Sequence, residues 1–268
     1  MTYSTLTVER DGAVGLITFR RPKQLNAINP VMQGEIIDAF LELHEAPDIN
    51  AIVVTGEGRG FMAGADIIEY AKQTDEEFAR FQDRGRRMYA VIDENDKPVI
   101  AAVNGHALGG GFELVLCCDL ILAADTAKMG LPEVHLGLVP GGGGTQRAPR
   151  RLGLSRANWL LLTGDAQTAE TMERWGLVNA VTSADALHEE AMALARRVAE
   201  HPPAAIQALK KLARAGFGAS GALDGLNHER ATVTALYQTE EARRRVREFA
   251  EASARRARER AEKARAAS

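Results

Sequence analysis

Val99-Ile100-Ala101-Ala102-Val103 runs without a polar interruption directly after Pro98. An apolar run of this kind reads as a strand buried on both faces, which implies a parallel sheet covered by helices. The stretch that follows is Asn104-Gly105-His106-Ala107-Leu108-Gly109-Gly110-Gly111-Phe112-Glu113, and then Leu114 to Cys118, which reads as a buried helix. A strand, a glycine turn and a helix start gather free backbone N–H groups around one point, with the positive end of the helix dipole beside them. Such a point binds a phosphate or stabilises an oxyanion. A tight turn that only glycine fits, with Glu113 as a first-turn acid, accounts for the same residues.

The rest of the chain alternates in the same way. Leu6–Glu9 and Val14–Phe19 flank Asp11-Gly12 as a hairpin. Asn29 caps a helix that has Pro30 in its first turn and an apolar stripe through Met32, Ile36, Ile37, Phe40, Leu41 and His44. Ala51–Thr55 is a buried strand that runs into small residues, Ala63-Gly64-Ala65-Asp66. Thr74 and Glu77 form a capping box for a helix with Phe78, Phe81, Met88 and Ile92 on one face. Asp119–Ala124 is another buried strand, and Leu177–Val181 a last one. Between them, Gly141 to Gly144 form a bent loop, Asn158–Leu162 is helical, and Thr168 starts a short helix. Strands alternating with helices imply parallel strands with helical crossovers, an α/β fold. From Ser183 onward only helices are expected: 185–200, 204–215, 223–237 and one from about 239. Two regions follow, a core over 1–198 and a helical region over 199–268.

Composition narrows the partners. A net charge of −3 gives no general attraction to nucleic acid or membrane. The tail from Glu240 to Arg265 carries ten Lys/Arg, but six interleaved Asp/Glu make nucleic acid an unexpected partner. No apolar run reaches the roughly 18 residues needed to span a bilayer. Cys117 and Cys118 are adjacent in an apolar stretch and read as reduced thiols, which suggests a cytoplasmic protein. The six histidines lack metal-ligand spacing, so no metal is expected.

Six segments occur in order: Arg21-Pro22-Lys23-Gln24-Leu25-Asn26-Ala27, Ala63-Gly64-Ala65-Asp66, Lys97 to Gly105, Gly109-Gly110-Gly111 with Glu113, Leu131-Pro132-Glu133, and Gly143-Gly144-Thr145-Gln146-Arg147. Together they resemble the crotonase (enoyl-CoA hydratase/isomerase) superfamily, from the first strand to at least Val181. The resemblance implies a spiral of ββα units followed by a helical C-terminal region that builds homotrimers, two of which stack into a homohexamer.

It also implies an acyl-CoA thioester substrate, with coenzyme A as part of that substrate and no separate cofactor. By motif position, the N–H groups of Ala65 and Gly110 are the oxyanion hole for the thioester oxygen. Glu113 and Glu133 match the two carboxylates of the family's hydratases: Glu133 gives the α-carbon its proton and Glu113 holds the water. Lys23 faces the CoA phosphates, while Leu25, Ala63, Asp66, Ile67 and Ile68 line the adenine and pantetheine path. Gly141 to Gly144 shape the floor near the acyl group. The chain departs from the commonest family pattern at His106, at Met129 and at Ala250-Glu251-Ala252-Ser253. The expected function is hydration of 2-trans-enoyl-CoA to 3-hydroxyacyl-CoA. The alternatives are a double-bond isomerase of the same family, or a weakly catalytic CoA- or RNA-binding member.

Overall fold

The computed structural model describes residues 2–216 and, beyond them, Thr239, Glu240, Arg244, Arg255, Arg258 and Glu259. The helices expected over 223–237 and from about 239 lie outside the described residues. The chain divides into two compact units, 1–201 and 202–268.

The first unit begins with the hairpin β1 (Leu6–Asp11) and β2 (Val14–Phe19), paired antiparallel around Gly12. Helix α1 (Pro30–Glu45) follows, and the Asn29 side chain accepts from the Met32 N–H at its start. Met32, Ile36, Phe40 and Leu43 are fully buried beneath it. Strand β3 (Ala51–Gly56) leads to β4 (Gly60–Met62), the short helix α2 (Ile67–Tyr70) and the long helix α3 (Asp75–Asp93). Both halves of the Thr74–Glu77 capping box are formed. Next come β5 (Val99–Val103), β6 (His106–Leu108) and α4 (Gly110–Val115), then β7 (Leu120–Ala124) and β8 (Lys128–Gly130). A 3₁₀ turn spans Pro132–Leu136 before α5 (Gly144–Leu152) and α6 (Leu154–Thr163). The unit ends with β9 (Gln167–Thr168), α7 (Ala169–Arg174), β10 (Ala180–Thr182) and α8 (Leu187–Ala199). In the second unit, α9 covers Pro203–Gly216.

Two sheets form, with strand orders β1-β2-β3-β5-β7-β10 and β4-β6-β8-β9. From β2 to β10 the first sheet is parallel. The second is parallel apart from the β8–β9 edge. Three buried strands of the large sheet each pass into a short strand of the small one before a helix or 3₁₀ turn: β3 to β4, β5 to β6, β7 to β8. That repeated step is the expected spiral. Asparagines tie its corners. Asn104 accepts from the Gly56 N–H and donates to the Gly58 carbonyl, and fully buried Asn26 donates to the Gly60 and Glu57 carbonyls.

Some boundaries differ from expectation. The central helix has Glu113 in its first turn as expected, but it spans only Gly110–Val115, leaving the cysteines in the turn beyond it. Leu177 and Val178 are buried but precede the strand, which forms only at Ala180–Thr182. The loop expected over Gly141–Gly144 runs directly into α5, and helix α6 begins at Leu154, before Asn158. The four strands of the small sheet carry no expectation from sequence, because two or three residues are too short to show a period. Among the described residues, no helix is long and apolar enough to cross a membrane. No cluster of three or more His, Cys, Asp or Glu among them is placed to hold a metal ion.

Candidate active site

The glycine turn after β6 packs directly on the small-residue loop after β4. A Cβ on Gly111 would overlap the Met62 carbonyl oxygen, so the approach of α4 to β4 requires glycine there. A Cβ on Gly109 would lie 3.8 Å from the Gly64 Cα. Gly110 is the first residue of α4, and first-turn N–H groups have no acceptor within their own helix. In the facing loop, Ile28 and Ala65 form an isolated parallel bridge. It is made through the Gly64 carbonyl and the Asp66 N–H, at 2.7 and 2.8 Å. Backbone groups alternate along an extended chain, so the Ala65 N–H points away from that bridge. Ala65 and Gly110 both line one cavity of about 320 Å³.

Glu113 and Glu133 line the same cavity, Glu113 from α4 and Glu133 from the 3₁₀ turn. Glu113 is 3% exposed. Its Oε1 accepts from the Gly142 and Gly144 N–H groups at 2.8 and 2.7 Å. Burial pushes its carboxyl above the ordinary range; the two N–H groups and the Arg147 guanidinium oppose that shift. Gly142 and Gly144 thus hold a carboxylate, a more specific role than shaping a floor.

Glu133 has the opposite environment. Its Oε2 is buried with no hydrogen-bond partner. Burial pushes its carboxyl up to about 7, with the charge of Glu113 adding to the rise. Two carboxyl groups in one cavity, one gripped by two N–H donors and a nearby guanidinium and the other with a buried oxygen left unpartnered, are suited to opposite protonation states.

Of the other expected residues, Ala63 and Ile67 line the cavity, whereas Lys23, Leu25, Asp66 and Ile68 do not. Lys23 is exposed on the 3₁₀ turn Pro22–Gln24, and Ile68 is 73% exposed on α2. The Asp66 carboxylate is engaged elsewhere: it pairs with Arg21 at 2.9 Å and accepts from the Glu69 N–H as the cap of α2. Leu25 has φ 49°, and its carbonyl accepts from the Ala63 N–H at 3.0 Å, so it braces the β4 loop through its backbone. His106 sits half-buried on β6, outside the cavity lining.

Sequence reasoning missed the wall supplied by α3. Phe81, Gln82, Gly85 and Tyr89 line the cavity, and Tyr70 of α2 joins them through a Gln82 Nε2 to Tyr70 Oη bond of 2.7 Å. Tyr89 donates to the Gly110 carbonyl at 3.0 Å. The helical spacing of Gln82, Gly85 and Tyr89 was the available signal. Arg147 was noticed only as part of a motif, yet it bonds Asp93 and the Gly142 carbonyl.

Comparisons with known proteins point to one family. The family model described as enoyl-CoA hydratase/isomerase matches residues 9–258. A Mycobacterium tuberculosis protein named as a probable enoyl-CoA hydratase is 44% identical over 243 residues, covering 90% of this chain and 93% of its own. A crotonyl-CoA hydratase of Syntrophomonas wolfei is 40% identical, covering 81% and 84% respectively. Among solved structures, an enoyl-CoA hydratase subunit from Geobacillus kaustophilus superposes with a TM-score of 0.88 at 39% identity, covering 93% of this chain and 96% of that one. On these matches and on its spiral of two sheets, the chain belongs to the enoyl-CoA hydratase/isomerase family.

Proposed function

We propose that this protein is an enoyl-CoA hydratase, adding water reversibly to a 2-trans-enoyl-CoA to give the 3-hydroxyacyl-CoA. The observation that carries it is the pair Glu113 and Glu133, brought from separate elements into one cavity with opposite environments. Ionised Glu113 holds the water and takes a proton from it as its oxygen bonds to C3. The electrons of the C2–C3 double bond move toward the thioester, and negative charge develops on the carbonyl oxygen. The N–H groups of Ala65 and Gly110 receive that charge, which they stabilise more strongly than the neutral ground state. Protonated Glu133 then delivers its proton to C2. Every proton is accounted for: water supplies one to Glu113, Glu133 supplies one to the product, and exchange between the pair resets the site.

The CoA moiety is assigned to the mouth, with Ala63 and Ile67 along the pantetheine path and Lys23 toward the phosphates. Asp66, Leu25 and Ile68 serve as supports and edge of that path. The protein is proposed to act as a homotrimer or homohexamer in the cytoplasm. Exposed Leu154, Trp159 and Leu162 on α6 support assembly, because clustered apolar surface of this kind marks contact sites.

The test is loss of the conjugated thioester absorbance with crotonyl-CoA and a longer 2-enoyl-CoA. Loss, with 3-hydroxyacyl-CoA as product, is expected. No loss in a protein that binds CoA, together with conversion of a 3-enoyl-CoA, would instead identify an isomerase.

A further inference from the structure

We propose that Arg147 is a positioning residue for Glu113, acting through the Gly142–Gly144 turn, and that Asp93 aims it. The inference rests on the hydratase reading of Glu113. The contacts form an unbroken series. Asp93, the last residue of α3, accepts at Oδ2 from Arg147 Nη2 and Nε at 3.0 and 3.2 Å. Arg147 Nη1 donates to the Gly142 carbonyl at 2.8 Å. The N–H groups of Gly142 and Gly144 donate to Glu113 Oε1 at 2.8 and 2.7 Å. A Cβ on Gly143 would overlap Arg147 Nη1, so the guanidinium fills the space against the turn.

A guanidinium suits this place because its planar fork serves a carboxylate and a carbonyl at once, in fixed directions. Lysine offers a point charge with no such fork. Tethering the Gly142 carbonyl fixes the peptide plane that lies between the two whose N–H groups grip Oε1. Gripping Oε1 fixes the carboxylate plane and leaves Oε2 for the reacting water. The charge acts in the same direction. Among the described residues, the ionisable groups whose charge couples to Glu113 are Tyr70 of α2, Tyr89 of α3, Cys117 beyond α4, Glu133 of the 3₁₀ turn and Arg147 of α5, and His135 of the same turn as Glu133 lines the cavity with it. Of these six, Arg147 is the permanent cation, and it favours the ionised form that holds the water.

The test is the pH profile of kcat and KM for crotonyl-CoA hydration in Arg147→Gln, Arg147→Lys and Asp93→Asn. In Arg147→Gln, kcat is expected to fall about a hundredfold, the size of a lost charge-assisted bond, with KM nearly unchanged. Its acid limb moves up by about one pH unit, because Glu113 loses its cation. Arg147→Lys retains the charge: its acid limb stays in place while kcat takes an intermediate value. Asp93→Asn lowers kcat about threefold at unchanged KM, by loosening the fork. Wild-type kcat and acid limb in a folded Arg147→Gln, or a rise in KM alone, would overturn the proposal. If Arg147→Gln does not fold, wild-type kcat in both other variants overturns it equally. A wild type that hydrates no enoyl-CoA would instead sink the hydratase reading itself.

Discussion

The six-stranded and four-stranded sheets share one chain path, strand by strand, yet they are built on different physics. In the large sheet, β3, β5 and β7 are apolar runs buried on both faces, α8 packs across them, and Leu43 of α1, at 0% exposure like Phe40, meets β2 at Gly15. Its stability comes from area removed from water. The small sheet has strands of two or three residues, held by asparagine side chains and by glycines that admit close backbone approach. Around it lie a carboxyl group that is 3% exposed and another with a buried, unpartnered oxygen. Such groups oppose folding and persist only because the large sheet fixes the ends of the short strands. One sheet supplies the stability, and the other places chemistry that is unfavourable for stability.

That contrast is open to direct challenge. The largest expected effect is in the large sheet's cover. Phe40→Ala removes about 3–5 kcal/mol of stability, read by urea unfolding, while kcat of the folded fraction stays within about twofold of wild type. A specific loss of kcat there would break the division of labour. Next is Gly142→Ala, at the site. Its Cβ would overlap the Tyr89 ring and stand 2.7 Å from Glu113 Oε2. We expect kcat to fall about 10- to 100-fold, with a stability cost of about 1–3 kcal/mol. Unfolding without a change in kcat would place Gly142 with the scaffold instead.

The smallest effect is a pH dependence. Glu133 has a carboxyl raised from 4.5 to about 7 in the folded protein. Below the lower value, both folded and unfolded chains hold the proton and no penalty arises. Between the two values, the unfolded chain releases a proton that the folded one keeps, so stability falls as pH rises. Above the higher value the penalty is complete. Glu133→Gln therefore raises the Tm more at pH 8 than at pH 4. An equal shift at both would show that the carboxyl is not held neutral by its surroundings.

Strands β2, β3, β5 and β7 of the large sheet were legible in the sequence as apolar runs, whereas half-buried β10 was placed three residues early. Helices α1 and α3 were legible from the Asn29 cap and the Thr74–Glu77 box, both formed as expected. The small sheet was not, since its strands are shorter than one readable alternation. Helix α5 was hidden because glycines open it and Pro149 lies inside it. At the site, Glu113, Glu133, Ala65 and Gly110 do meet at one cavity. Their convergence came from motif resemblance, because no local period relates positions on separate elements. Tyr89 and Gln82 escaped notice since α3 was read for its core face alone, while its other side forms the cavity wall. The family resemblance put Asp66 on the ligand path; its carboxylate pairs with Arg21, a contact that no local pattern announces.

The most direct measurement is hydration of crotonyl-CoA in ¹⁸O-labelled water by wild type, Glu113→Gln and Glu133→Gln, with Tm and CoA affinity recorded alongside. The account predicts label at C3 of the wild-type product. It predicts a loss of about 10²- to 10⁴-fold in rate for each variant, the range for a removed acid or base, with folding and CoA binding retained. A folded, CoA-binding variant of either glutamate that hydrates within about tenfold of wild type would contradict it.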